Sequence, residues 1–189
     1  QDDLAPSGAK ARFAANIAAI ELSRRLRKEA RLATAAEQQV LARWSSWGAL
    51  PELFDDDKAN WSAERAELRR LLDDAAYAEA RRTTINAHST DPSYVREIWS
   101  ALARLGFAGG AVLEPGVGAG TFVGLAPDTA RMTGVELDST TAAIAAGLYP
   151  HADIRAESFA DTRLPAGYFD ATVGNVPFAN VALHDPAHN

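Results

Sequence analysis

The chain has 189 residues, 47% of them apolar and 23% charged, which is enough for one or two folded domains and excludes a disordered or fibrous segment. Nineteen Lys and Arg against 25 Asp and Glu leave a net charge of −6, so any contact with nucleic acid has to come from a local basic patch. The absence of cysteine removes disulfides, thiolate zinc sites and cysteine nucleophiles, and the scattered His88, His151, His184 and His188 give no reason to expect a metal.

Residues 1–92 carry 14 Lys and Arg and 15 Asp and Glu, whereas 93–189 carry 5 and 10, so the acidity lies in the second half. In the first half, Phe13, Ile17, Ile20 and Leu22 lead into Leu26, Leu32, Val40 and Leu41 at helical spacing, and Leu68, Leu71, Leu72 and Tyr77 repeat the pattern. This predicts two long helices. Between them, Trp44 to Gly48 and Leu50 to Asp55 interrupt the period with Gly, Pro and acidic residues and read as a packed connector. Trp44, Trp47 and Trp61, flanked by apolar residues, read as core anchors. Arg24, Arg25, Arg27, Lys28 and Arg31 form a basic run, but the interleaved Glu21 and Glu29 make it a solvated face. Arg81 and Arg82 are the better phosphate candidates, lying closer to the second half. Arg12, Asn16, Glu21 and the Arg24-Arg25 pair break the early apolar stretches too often for a membrane span or a secretory leader. A cytoplasmic protein with no membrane partner is expected.

From Asp91 the pattern becomes that of an α/β chain. Asp91-Pro92 is a helix start, and Tyr94, Val95, Ile98, Trp99, Leu102 and Leu105 form an apolar face that ends at Gly106 and Gly109-Gly110. Strands are predicted at 111–114, 132–136, 152–155 and 169–174, with a helix over 139–147. Strands alternating with helices imply a parallel sheet.

Glu114-Pro115-Gly116-Val117-Gly118-Ala119-Gly120-Thr121-Phe122 follows the first strand and precedes a helical segment, the context in which glycines let backbone pass close to a ligand. Glu136 closes the next strand 20 residues after Gly116, where a carboxylate can accept hydrogen bonds from both ribose hydroxyls. The plainer reading is a tight turn beside a solvated strand end. A dinucleotide is a second alternative, but its fingerprint wants a third Gly where Thr121 stands, and Glu114 would repel a pyrophosphate. Glu114 would instead attract an ammonium, which suggests S-adenosylmethionine. After the fourth strand comes Gly174-Asn175-Val176-Pro177-Phe178. There an Asn amide and a peptide carbonyl can accept from an exocyclic amine while Phe178 stacks on a base, although a simple Asn-Pro turn has the same composition.

Together these segments resemble the amino-methyltransferases, and specifically the N6-adenine DNA methyltransferases, whose signatures are a D/E-x-x-x-G-x-G loop and an [N/D]-P-P-[Y/F] tetrapeptide. The matching positions are Glu114 to Phe122 and Asn175 to Phe178, and Thr90, followed by Asp91-Pro92, is similar to the family's Tyr-Thr-Pro element. The resemblance implies a Rossmann-like methyltransferase fold over 86–189, expected to be truncated at its C-terminal end, preceded by a helical region over 1–85 that the resemblance leaves unexplained. It also implies that Thr90, Glu114, Pro115, Gly116, Gly118, Gly120, Thr121, Phe122, Glu136, Leu137, Ser158 and Phe159 hold the cofactor. Asn175, Val176, Pro177 and Phe178 are the implied catalytic residues. Val176 stands where the family has its first Pro, which loosens the backbone there, and Ser158 stands where it often has Asp. The group it resembles is a divergent bacterial one, often joined to helicase domains. DNA is therefore the expected partner, with a helicase domain in the same polypeptide and a restriction-modification setting. Amino-methyl transfer to RNA or to protein glutamine, or a non-catalytic cofactor-binding scaffold, are the alternatives.

Overall fold

The first apolar run is divided into two helices, α1 (Ala9–Glu29) and α2 (Ala35–Leu41), by competing cap signals. In the computed structural model, which describes residues 4–84 and 90–175, Ala30 turns left-handed at φ 48 and ends α1. Thr34 then starts α2 with a capping box, its hydroxyl accepting from Glu37 N–H while the Glu37 carboxylate takes the Thr34 N–H at 2.9 Å. Side-chain oxygens that satisfy the first amides make a new start competitive with continuing the old helix. The second run divides in the same way. Leu72 is extended after α3 (Ser62–Leu71), and Asp73 caps α4 (Asp74–Thr83) by accepting from Ala76 N–H at 2.8 Å. The two long helices expected are thus one long helix and three shorter ones.

The connector between α2 and α3 is packed, with Trp44, Trp47, Leu50, Leu53 and Phe54 all buried around two short 3-10 turns. Buried Arg65 of α3 braces it, donating hydrogen bonds to the Asp55 and Lys58 carbonyls at 2.6 and 2.9 Å in addition to those the same carbonyls accept from the Lys58 and Trp61 backbone amides. The aromatic rings meet edge to face, Trp44 on Trp47 at 4.9 Å and Trp47 on Phe54 at 5.6 Å.

Asp91 caps α5 (Pro92–Arg104) with Pro92 in the first turn. Its buried stripe is narrower than the sequence suggests, with Val95 and Trp99 inside and Tyr94, Ile98 and Leu105 exposed. Four parallel strands follow, β1 (Gly110–Pro115), β2 (Ala130–Glu136), β3 (Asp153–Ala156) and β4 (Ala171–Thr172), in the order β3-β2-β1-β4. A single helical turn, α6 (Thr121–Gly124), stands between β1 and β2, and α7 (Ser139–Leu148) between β2 and β3. The chain moves outward from β1 through β2 to β3 and then crosses to the other side of β1 for β4. The carboxyl ends of β1 and β4 therefore flank the point where strand order reverses, where open parallel sheets bind ligands.

Two hydrophobic clusters hold the molecule. One joins Val95 and Trp99 of α5 to Val112, Val117, Phe122, Met132 and Val173 on the sheet and its loops. The other fills the helical region and takes in Ile144 and Leu148 of α7. Helix α7 thus contacts β2 and β3 as well as α1, α2 and α4, so the helical region docks on the sheet through it. No helix among the described residues is long and apolar enough to cross a membrane.

Candidate functional site

Beyond β1 the chain makes its glycine loop against β2. The Gly116 and Val117 amides both donate to the Val135 carbonyl, at 2.8 and 2.9 Å, and Val117 packs over Gly134, where a Cβ would lie 2.8 Å from the Val117 side chain. Gly134 is therefore the reason the loop can sit flat on the sheet. Gly116 and Gly118 have φ values of +71 and +54, a region costly for other residues. A Cβ built on either would meet nothing within 4 Å, so both face open space.

That space is a small cleft, about 50 Å³, lined by Thr90, Glu114, Gly116, Val117, Gly118, Ala119, Thr121, Phe122 and Asn175. Residues far apart in sequence converge here because the carboxyl ends of β1 and β4 adjoin. Glu114 is 3% exposed, and its Oε2 has no hydrogen-bond partner among the described residues. Burial, with repulsion from Glu136 added, holds its carboxyl well above the usual carboxylate range. Among the described residues no Lys or Arg lines the cleft. An anion there would meet a carboxylate, whereas a cationic or hydrogen-donating group would supply the missing partner.

Glu136 is at the edge of this arrangement. Its Oε2 accepts the Gly118 N–H and its Oε1 the Asp138 N–H, both at 2.9 Å. Burial raises its carboxyl above the ordinary value, and the two amide bonds work against the rise. Each oxygen keeps a lone pair for a further donor such as a hydroxyl. Asp138, 1% exposed, caps α7 by accepting from the Thr140 and Thr141 amides and takes the Trp47 indole N–H at 2.9 Å. Burial raises its carboxyl as well.

The structure brings Thr90, Glu114, Gly116, Gly118, Thr121, Phe122 and Asn175 to one cleft and ties Glu136 to it through Gly118. Phe122 is chiefly a core residue, 2% exposed. Gly120 turns the place of its missing side chain toward the Tyr149 ring, 2.6 Å from where a Cβ would be, and Pro115 ends β1, paired with Val135. Leu137, Ser158 and Phe159 lie outside the lining, at the carboxyl ends of β2 and β3. Leu137, which follows Glu136 in the chain, and Phe159 are 44% and 48% exposed. The Ser158 carbonyl accepts from Asp161 N–H and from the Thr162 hydroxyl. Val176, Pro177 and Phe178 lie outside the described residues, as do His88, His184 and His188. Among the described residues no group of three or more His, Asp or Glu side chains is placed to hold a metal ion. Sequence reasoning missed Asp138, although an acidic residue directly before Ser139-Thr140-Thr141 is a helix-cap signal. Comparisons of the chain with protein-family models, with curated proteins and with solved structures found no match.

Proposed function

We propose that this chain is the S-adenosylmethionine-binding part of a Rossmann-like methyltransferase that acts on the exocyclic N6 of adenine in DNA. The observation that carries the reading is the buried Glu114 carboxyl, whose Oε2 has no hydrogen-bond partner among the described residues, in a cleft it shares with two open glycines, Thr90 and Asn175. Strand order β3-β2-β1-β4, with the cleft at the point of reversal, supports it.

The residues fit the cofactor's polar groups. Glu114 offers an acceptor for the ammonium of the methionine moiety, and Gly116 and Gly118 leave the room a side chain would fill. Glu136 offers its remaining lone pairs to the ribose hydroxyls, and Leu137 and Phe159, beyond the carboxyl ends of β2 and β3, offer exposed apolar surface for a planar base. The same cleft disfavours a dinucleotide, because Glu114 stands where a pyrophosphate would need donors.

When bound, S-adenosylmethionine supplies an electrophilic methyl group on a sulfonium. The chain's own work is then to prepare the target amine, whose lone pair is conjugated into the ring and is a poor nucleophile. Asn175 lines the cleft and is exposed, and its amide oxygen can accept a hydrogen of the amine. By the resemblance, the Val176 carbonyl takes the second hydrogen and Phe178 stacks on the base, which has to leave the duplex to reach it. Two acceptors favour the pyramidal nitrogen and aim its lone pair at the methyl group, so positioning replaces a strong base.

The test has two parts. The melting temperature should rise with S-adenosylhomocysteine concentration, as mass action requires of a ligand that binds only the folded state, and should not rise with a nicotinamide dinucleotide. Labelled S-adenosylmethionine should then transfer its methyl group to DNA when the polypeptide is offered DNA, RNA and protein. Label in protein alone would overturn the DNA reading, and no thermal response to S-adenosylhomocysteine would overturn the cofactor.

A further inference from the structure

We infer that Trp47 is a positioning residue for the Glu136 carboxylate, so that docking of the helical region and ligand binding at the cleft form one linked equilibrium. This rests on reading the cleft as the ligand site. A path of hydrogen bonds, part-buried at its ends and buried at Trp47–Asp138, joins the two. Asn16 of α1, fully buried, donates from Nδ2 to the Ser46 carbonyl at 3.2 Å and accepts the Ser45 N–H at 2.9 Å. That clamp fixes the turn at Ser46, whose φ is +63, and so sets the direction of the next side chain, Trp47. The Trp47 ring is fully buried, and its N–H reaches 2.9 Å to Asp138 Oδ2 across a separation of 91 residues. Asp138 in turn gives its backbone N–H to Glu136 Oε1, and Glu136 Oε2 holds the Gly118 N–H in the glycine loop.

Hydrophobic packing alone explains the burial of Trp47 but not the aim of its N–H at a buried carboxylate. Trp44 provides the contrast. It meets Trp47 edge to face at 4.9 Å in the same cluster, is 5% exposed, and its own Nε1 has no hydrogen-bond partner among the described residues. One indole packs; the other packs and holds Asp138. Because Asp138 caps α7 with its side chain and supports Glu136 with its backbone, loosening the side chain frees the amide that orients Glu136. Linkage works in both directions, so a ligand that holds Glu136 in place also strengthens the docking of the helices on α7.

Trp47→Phe and Trp44→Phe make the same chemical change in one cluster and separate positioning from packing. Trp47→Phe should weaken S-adenosylhomocysteine binding measured by calorimetry by about tenfold, within the usual range of coupling between sites, while Trp44→Phe leaves it within about twofold. Equal losses in both variants, or no loss in Trp47→Phe, would overturn the inference. A readout without ligand keeps it distinct from the cofactor assignment: the Gly118 and Asp138 amides should exchange hydrogen faster in Trp47→Phe than in wild type and unchanged in Trp44→Phe. If wild type does not bind S-adenosylhomocysteine, the cofactor reading fails and amide exchange still decides the path. Should Trp47→Phe fail to fold, the wild-type chain suffices: ligand should shift the Trp47 indole N–H resonance and leave that of Trp44 in place, and the reverse pattern, or no shift of either, counts against the coupling.

Discussion

Glu114→Gln should make the protein more stable and its ligand site worse. In the native structure the Glu114 carboxyl is 3% exposed with one oxygen unpaired among the described residues, and the Glu136 carboxylate repels its charge. A buried polar group without its partner costs about 1–3 kcal/mol, and more when charged. Gln keeps the shape and the unpaired polar atom and removes only the charge, so the gain is the excess cost of the charge, of the same order, about 1–3 kcal/mol. For a chain of this size each kcal/mol moves the melting temperature by about 2–4 °C, so the variant should melt roughly 2–12 °C higher at neutral pH. The pH dependence has a definite sign. Folding raises the Glu114 pKa above its ordinary value of 4.5, so between that value and the raised one the native state holds a proton the unfolded chain has released. Wild-type stability therefore falls as pH rises through that window and levels off above it, whereas the Gln variant lacks this contribution. Glu136 and Asp138 shift in the same direction in both proteins and largely cancel in the difference. The gain should vanish below about pH 4.5 and grow above it, as read by scanning calorimetry across pH. The functional loss is specific. S-adenosylhomocysteine, which carries an ammonium, should bind roughly 10- to 150-fold more weakly, the worth of a hydrogen bond to a charged group, while adenosine binding stays unchanged. A lower melting temperature in the variant, a pH-independent difference, or equal losses for both ligands would refute the argument.

Three further outcomes follow from the geometry. Asn175→Ala should abolish methyl transfer while S-adenosylhomocysteine affinity in calorimetry stays within about threefold, since Asn175 is assigned to the target amine; affinity and activity falling together would remove that assignment. Gly134→Ala places a Cβ 2.8 Å from Val117 and should lift the glycine loop off β2, costing about 1–3 kcal/mol in denaturant unfolding and weakening ligand binding with it. Thr34→Ala breaks the capping box of α2 and should cost about 0.5–2 kcal/mol by the same measurement, leaving ligand affinity unaltered because neither Thr34 nor Glu37 touches the cleft.

The α/β character of the second half, the strand positions near β1 and β2 and the glycine loop are all readable in the chain, because short-range periodicity and φ-permissive residues act locally. Asp91-Pro92 likewise marks the start of α5, and the helix expected over 139–147 is α7, with Asp138 as its cap. Thr34 with Glu37 and Asp73 also carry local signals, yet the apolar period running across them suggests unbroken helices. Caps decided the matter there because satisfied amides offset the loss of helical continuity. Other features depend on the tertiary structure. The strand order that brings Asn175 beside Glu114 comes from a crossover past β1, which no local pattern encodes. Glu114 becomes a carboxylate in need of a partner only when surrounding chain removes its water, and Trp47 differs from Trp44 only in what its N–H meets 91 residues away. Propensity and periodicity are properties of neighbours along the chain; desolvation and long-range hydrogen bonding are properties of neighbours in space, and the latter give this site its chemistry.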